Sequence, residues 1–362
     1  MRFPPSLAVP AVLAVLALLS LPAAARAQGD TATFSLSSFR FADGESLSVL
    51  KIHYLTLGHP RRDAGGHVTN AVLVLHGTGG SGRQFLNPLF AELYRPGEAL
   101  DTATHYIILP DDIGHGRSSK PSDGLHARFP HYGYGDLVAA EYRLVTEGLK
   151  VDHLLVVMGT SMGCMHSWMW AERYPDFMDG AVPLACLPAQ IAGRNRMLRR
   201  MAMDAIRLDS AYHGGEYTTQ PAGLRGALEV LFFMGSSPRL LQRAYPTRDS
   251  ADADITRWMD RELATVDAND FLYQFDASRD YDPSSDLGHI KARVLAINSA
   301  DDEVNPPELD IMEKLFPRVP HGRFVLLPIS DLTRGHGTHT VAAAWKQWFA
   351  PFVADLEKAH SN

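Results

Sequence analysis

The sequence predicts an α/β protein with a mostly parallel central sheet and helices on both of its faces. Short apolar runs recur along the chain and are continuous rather than alternating, which is typical of strands that are covered on both sides. Helical patterns lie between these runs, and two strands joined by a tight turn open the pattern. An opening hairpin followed by repeated strand–helix units predicts one sheet with helices packed against both faces.

The individual elements follow in chain order. The opening hairpin spans 33–41 and 46–57. Buried strands are then predicted at 71–77, 105–111, 153–159, 181–186, 293–299 and 323–328. Residues 187–289 contain no clear strand but show helical patterns, and a segment of about 100 residues between two strands is too long for a loop. We therefore predict a helical cap, inserted at about 187–289 over one edge of the sheet.

The N-terminus has the pattern of a secretory signal peptide. Arg2 precedes an apolar run at 7–21, and a small-x-small cleavage site ends at Ala27. The run is short for a membrane span, which needs about 20 residues, so an uncleaved anchor is the less favoured alternative. We predict a signal peptide over 1–27, a mature domain over 28–362, and a secreted or periplasmic protein with no stable membrane anchor after cleavage.

Composition narrows the classes of partner. The formal net charge is −7, which argues against a nucleic-acid-binding surface. Cys164 and Cys186 are the chain's two cysteines. Two cysteines do not make a disulfide framework, so we interpret both as small buried apolar side chains, with a bond between them as the alternative.

The stretch Gly159-Thr160-Ser161-Met162-Gly163 fits the pattern G-x-S-x-G. In this motif the serine occupies a sharp turn between a strand and a helix, and the glycines let those two elements approach closely. A buried strand precedes the motif here, and a helical pattern follows it. We predict that Ser161 is a nucleophile presented at the helix N-terminus, where negative charge is favoured.

A serine nucleophile needs a general base, and the base needs an orienting carboxylate. The carboxylate is predicted in the loop after 293–299, where Asp302 is preferred over Asp301. The base is predicted after the last strand, where His336 is preferred over His339. These two histidines could also be half of a metal site, but no third ligand stands at a suitable spacing, so we expect neither a metal nor a cofactor.

The oxyanion that forms during acyl transfer needs two N–H donors. We predict that the backbone N–H of Met162 is one and that Thr78, in the glycine-rich loop 75–82, supplies the other. Phosphate binding by this loop is not favoured, because no G-K-[ST] follows. His76 and His115 are interpreted as structural hydrogen-bonding residues.

The arginines that begin the predicted cap are a further candidate site. They could meet an anionic substrate, but a solvated helix face is the preferred interpretation. The cluster consists of Arg194, Arg196, Arg199 and Arg200.

Several motifs resemble those of a known family. They are LHGTGGSG (75–82), LPDDIGHGRSSKP (109–121), NSADDEVNPPE (298–308) and, within the predicted cap, AIRLDSAYHGGEY (205–217) and DANDFLYQFDASRDYD (267–282). With them the chain resembles the α/β-hydrolase fold and, more narrowly, the homoserine O-acetyltransferase group. The resemblance implies Ser161 as nucleophile, Asp302 as acid and His336 as base. It also implies an acyl-enzyme intermediate and a cap that can support a homodimer.

One difference from that group concerns the acceptor. The group has an aspartate directly after its catalytic histidine, where this chain has Gly337. Acetyl-CoA is also a cytoplasmic metabolite that an exported enzyme would rarely meet. We therefore predict an exported serine hydrolase that cleaves a small-molecule carboxylic ester, amide or lactone. The alternatives are an O-acyltransferase of the homoserine O-acetyltransferase type with an acyl-CoA donor, and a binding protein on a disused hydrolase scaffold.

Overall fold

The computed structural model describes residues 29–360. The strands in this range are β1 (Asp30–Arg40), β2 (Ser46–Leu57), β3 (Ala71–Leu75), β4 (Tyr106–Pro110), β5 (Leu154–Thr160), β6 (Met178–Leu184), β7 (Arg293–Ser299) and β8 (Gly322–Leu327). They form one sheet in the order β1-β2-β4-β3-β5-β6-β7-β8. β2 is antiparallel to β1 and to β4, and every other neighbouring pair is parallel.

The predicted fold class is confirmed, and every predicted strand is present. All residues of β3, β4 and β5 are buried, which explains why their sequences are continuous apolar runs rather than alternating ones. β1 forms an edge of the sheet and exposes most of its residues.

Helices cover both faces of the sheet. They are α1 (Pro88–Ala91), α2 (Tyr134–Arg143), α3 (Met162–Arg173), α4 (Gly193–Arg207), α5 (Gly223–Gly235), α6 (Pro238–Ala244), α7 (Arg248–Leu263), α8 (Ala268–Asp276), α9 (Ile311–Leu315) and α10 (Ala342–His360). α2 and α3 contribute to one core, which includes Trp168 and Trp170. α1 and α10 contribute to a second core, which includes Phe90 and Trp345.

The chain between β6 and β7, residues 185–292, is called the helical insertion below. It contains α4 to α8, and its buried residues, such as Met203, Leu228 and Phe271, form a third core. The helical cap is predicted within this segment, at about 187–289, and its position over one edge of the sheet stays a prediction.

The predicted signal peptide, residues 1–27, lies outside the described residues. Between residues 29 and 360, no helix is both long enough and apolar enough to cross a membrane.

Cys164 and Cys186 form a disulfide, with their Cα atoms 5.9 Å apart. The interpretation of the two cysteines as separate apolar side chains is therefore wrong. β5 and β6 are parallel neighbours, so the first turn of α3, which follows β5, lies beside the segment that leaves β6. The bond depends on this adjacency between strands, which counting cysteines does not reveal.

Two glycines allow α3 to approach the sheet closely. A Cβ atom on Gly159 would lie 2.1 Å from the carbonyl oxygen of Gly163. A Cβ atom on Gly163 would lie 2.1 Å from the carbonyl oxygen of Leu75, at the end of β3. Both obstacles are backbone atoms, so neither can be relieved by a side-chain rotation.

Gly163→Ala is expected to destabilise the fold by about 2 kcal/mol or more, because α3 must move away from β3. Urea unfolding measures the loss. Gly226→Ala, within α5, is the control, because its Cβ would meet only the Ala205 Cβ at 3.4 Å and alanine favours a helix over glycine. Equal stability of the two variants would contradict the close approach of α3.

Candidate active site

Ser161 occupies the turn between β5 and α3. Its φ of 56° lies in the left-handed region, which costs a residue other than glycine about 1–3 kcal/mol. The turn is held by a hydrogen bond from the Ser161 N–H to the Leu184 carbonyl oxygen, 2.9 Å long, at the end of β6. A second bond, from the Gly163 N–H to the His76 carbonyl oxygen, ties the start of α3 to the loop after β3.

The hydroxyl of Ser161 lies 2.8 Å from Nε2 of His336, in the loop between β8 and α10. Nδ1 of the same ring lies 2.9 Å from Oδ2 of Asp302. When Nδ1 carries the proton, the ring donates to Asp302 and leaves Nε2 free to accept the serine hydroxyl. The structure thus brings together Ser161, His336 and Asp302, which lie far apart in the sequence.

Asp302 is fully buried yet remains ionised. Burial alone would raise the pKa of its carboxyl, but the adjacent His336 and donors in the same loop lower the pKa below its ordinary value. Those donors are the Val304 N–H, at 2.8 Å, and Asn305 Nδ2, at 3.0 Å. A charged carboxylate at this place can orient the His336 ring and stabilise its protonated form.

Asp301 and His339, the alternative candidates for the acid and the base, make different contacts. Asp301 accepts hydrogen bonds from the Ser299 hydroxyl and from the Gly335 N–H, the latter 2.9 Å long, so it fastens the His336 loop to the end of β7. It is therefore not simply a solvated turn residue. His339 packs edge-on against His336, with ring centroids 5.3 Å apart, and burial lowers its pKa to about 3. Neither alternative contacts the Ser161 hydroxyl.

The predicted oxyanion donors come from two different segments of the chain. Met162 is the first residue of α3, and Thr78 is in the loop after β3. That loop runs against the nucleophile turn, since a Cβ on Gly77 would lie 3.3 Å from the Ser161 Cβ. The assignment of the two N–H donors stays a prediction.

The predicted roles of His76 and His115 agree with their contacts. His76 Nε2 accepts the Asp112 N–H at 3.0 Å, and His115 Nδ1 lies 2.9 Å from the Ile113 carbonyl oxygen. Both rings therefore bind loop backbone, as predicted for structural residues.

The structure buries one member of the arginine cluster. Arg194 and Arg200 are exposed and pair with acidic side chains, as expected for a solvated helix face. That interpretation is wrong for Arg199, which is only 5% exposed. Its Nε donates to Asn195 Oδ1 at 3.0 Å, and its Nη1 donates to Ser278 Oγ at 3.3 Å. Among the described residues, no carboxylate forms an ion pair with Arg199.

Arg199 lies close to the predicted oxyanion loop. Burial raises the pKa of Tyr134, and the charge of Arg199 and the Thr78 hydroxyl oppose that rise. The hydroxyls of Tyr134 and Thr78 are both buried. The sequence does contain a signal for the burial of Arg199. At helical spacing, Arg199 lies on the same face of α4 as the buried Ala202, Met203 and Ile206.

Comparison with known proteins points to one fold family. A family model described as the alpha/beta hydrolase fold matches residues 70–328. A probable acyltransferase from Methanothermobacter thermautotrophicus is 29% identical over 79% of this chain and 87% of its own. An ethyl acetate hydrolase from Pseudomonas veronii is 30% identical over 57% of this chain and 64% of its own.

A solved structure of homoserine O-acetyltransferase from Bacillus anthracis has the same fold. Its TM-score is 0.78 at 21% sequence identity, and the alignment covers 90% of this chain and 97% of the other. The predicted resemblance to homoserine O-acetyltransferases is confirmed by sequence relatives of that name.

A buried polar cluster joins α2, α3 and the loop after β4. Asp112, Glu141 and His166 offer atoms within 4.8 Å of one another, close enough to hold a metal ion. Both oxygens of Glu141 already accept hydrogen bonds, from His166 Nδ1 at 2.7 Å and from Trp170 Nε1 at 2.6 Å. Burial, followed by the charge of Glu141, raises the pKa of Asp112 to about 8. Burial also raises the pKa of Glu141, to about 7, so Asp112 holds its proton more firmly than Glu141 does. We interpret Asp112 as the neutral acid of this coupled pair.

Asp112→Asn is expected to flatten the dependence of the free energy of unfolding on pH. The folded protein holds the Asp112 proton up to about pH 8, whereas an unfolded aspartate releases it near pH 4. Raising the pH through this window favours the unfolded wild type, by up to about 1.4 kcal/mol per pH unit. Urea unfolding between about pH 5 and pH 8 measures both slopes, and identical slopes would refute the neutral state of Asp112.

Proposed function

The chain belongs to the α/β-hydrolase fold family, and from that premise we propose that it is an exported serine hydrolase that cleaves a carboxylic ester, or an amide or lactone. The observation that carries the proposal is the pair of contacts made by one ring: His336 Nε2 to the Ser161 hydroxyl at 2.8 Å, and Nδ1 to Asp302 at 2.9 Å. A hydroxyl, a base and a buried carboxylate in this order are the parts that acyl transfer through a serine requires.

In this mechanism the Ser161 oxygen forms a bond to the carbonyl carbon of the substrate, and its proton moves to His336 Nε2. The bond to the leaving group then breaks, and His336 returns the proton to the departing oxygen or nitrogen. Water attacks the acyl-enzyme in the same way, with His336 again taking and returning a proton. Asp302 keeps the ring oriented and stabilises its charged form throughout.

The oxyanion of each tetrahedral intermediate is held by the backbone N–H groups of Met162 and Thr78. Each donor of this kind is worth about 2.7–4 kcal/mol of transition-state stabilisation. The assignment is supported by the position of Met162 at the start of α3 and by the close approach of Gly77 to Ser161. The positive end of the α3 dipole favours the same charge.

An acyltransferase is the second candidate, and Arg199 is the observation that favours it. A buried guanidinium without a carboxylate partner is suited to an anionic group on an acceptor or an acyl donor. Among the relatives, a probable acyltransferase matches most of the chain. Water remains the preferred acceptor, because Gly337 follows His336 where the homoserine O-acetyltransferase group has an aspartate.

Export to the periplasm or beyond the cell remains part of the proposal and rests on the pattern of residues 1–27. Sequencing the N-terminus of the exported protein tests the cleavage after Ala27. A homodimer through the helical insertion also stays a prediction, for which the exposed Met197 and Met201 of α4 are the supporting observation.

Ser161→Ala is expected to lower ester hydrolysis by roughly 10⁴-fold or more, because no other group can form the acyl-enzyme. The rate is measured on a panel of short-chain esters, and covalent labelling by a fluorophosphonate is followed by mass spectrometry. Ser37→Ala, at an exposed position of β1, should keep both the rate and the label. Hydrolysis that survives in the Ser161 variant would refute the mechanism.

Arg199→Met is expected to reduce kcat/KM for an ester that bears a carboxylate by about 10–100-fold, with little effect on a neutral ester of the same length. The loss follows from removing the buried charge while keeping the bulk of the side chain. Arg200→Met is the matched control, since Arg200 is exposed on the same helix and pairs with Asp204 at 2.6 Å. An equal loss for both esters would mean that Arg199 supports the fold and does not select the substrate.

A further inference from the structure

The Cys164–Cys186 disulfide lies directly beside the nucleophile turn. Cys164 is the third residue of α3, and Ser161 is the residue that caps this helix. Cys186 is the second residue after β6. Both cysteines are buried, so the bond lies within the core beneath the site rather than at the surface. It therefore joins the helix that presents the serine to the segment that leaves the neighbouring strand.

That exit segment also contacts the residues that hold the acid. The Leu184 carbonyl oxygen accepts the Ser161 N–H at 2.9 Å. One residue later, the Ala185 carbonyl oxygen accepts Asn305 Nδ2 at 3.0 Å. The same Nδ2 donates to Asp302 Oδ2, also at 3.0 Å. A short path of hydrogen bonds thus connects the backbone of the nucleophile to the carboxylate that orients the base.

The backbone on both sides of this path is strained. Ser161 and Ala185 have φ values of 56° and 66°, in the region that residues other than glycine rarely adopt. Such conformations persist only when the surroundings hold them. Asn298 Nδ2 donates to the Cys186 carbonyl oxygen at 3.1 Å, and the disulfide supplies the covalent part of the restraint.

We propose that the Cys164–Cys186 disulfide is a positioning bond of the active site, which fixes the Ser161 turn relative to the segment that holds Asn305 and Asp302. The inference rests on the proposed function, because it concerns the geometry of the same reaction. Reduction replaces the bond by two thiols, whose sulfur atoms must move apart to a non-bonded distance. That movement is transmitted directly to the first turn of α3 and to Ala185.

Reduction of the disulfide is therefore expected to slow the reaction rather than to weaken substrate binding. A displacement of about 1 Å between reacting groups can cost as much as 10²-fold in rate. The helices of the insertion, α4 to α8, begin only at Gly193, seven residues after Cys186, so we expect reduction to leave the substrate contacts that they supply in place. We therefore expect reduction to lower kcat about tenfold and to leave KM within about twofold of its value in the oxidised protein.

The experiment compares the oxidised and reduced forms of the wild-type protein. A dithiol such as dithiothreitol transfers two electrons and two protons to the bond, giving two cysteine thiols and the cyclic disulfide of the reagent. After anaerobic removal of the reagent, kcat and KM are measured on a neutral ester. Alkylation of a separate denatured sample counts two thiols per chain, and near-ultraviolet circular dichroism verifies that the reduced protein is folded.

Two further measurements make the result specific. Reoxidation should restore kcat, which irreversible damage would not allow. The double variant Cys164→Ala, Cys186→Ala should have the kcat of the reduced wild type and should not respond to the dithiol. If that variant fails to fold, the reversible change in the wild type still decides the question.

Three results would contradict the proposal, and each has a different meaning. A reduced, folded protein with unchanged kcat and only a lower midpoint of thermal unfolding would overturn the proposal, because the bond would then be structural alone. Two free thiols in the protein isolated from an oxidising compartment would also overturn it. If the oxidised protein neither hydrolyses an ester nor labels at Ser161, the proposed function itself fails, and the inference fails with it.

Discussion

The close approach of α3 to the sheet is the constraint on which the rest of the site depends. Gly159 and Gly163 leave no room for a Cβ atom, so the helix starts directly against β3 and β5. Ser161 is thereby forced into a left-handed conformation that presents its hydroxyl above the ends of the strands. The loops after β3, β6, β7 and β8 meet around this point because parallel strands end at the same edge.

Two buried aspartates show how the surroundings select a protonation state. Asp302 is ionised because a histidine and several N–H donors face it, whereas Asp112 is held neutral because burial and a second carboxylate oppose its charge. The first carboxyl can therefore orient a base, whereas the second carries a proton and can donate a hydrogen bond as well as accept one. Burial by itself does not distinguish them, and the neighbouring donors do.

Much of the fold could be predicted from the sequence, because apolar runs mark β3 to β8 and a tight turn separates the two strands of the opening hairpin, β1 and β2. The proximity of Ser161, Asp302 and His336 could also be predicted, since each follows a recognisable strand, and the structure brings the three side chains together. The disulfide could not be predicted, because it depends on which strands are neighbours. The prediction that Arg199 is solvated relies on its charge and gives too little weight to its position on the buried face of α4. The cluster around Asp112 joins three separate elements and leaves no local pattern.

Because the helical insertion has its own core, the third one, substrate preference and catalytic chemistry can change independently in evolution. Residues such as Leu228 and Phe271 pack with other members of the insertion, so this third core can be repacked with little effect on the strands that carry the serine, acid and base. Tyr273 of α8 belongs instead to the first core and should be kept. Substrate preference can therefore diverge between relatives, or be redesigned in the laboratory, while the chemistry stays the same. A designer who wants new specificity from this scaffold should build libraries in the insertion and leave the sheet unaltered.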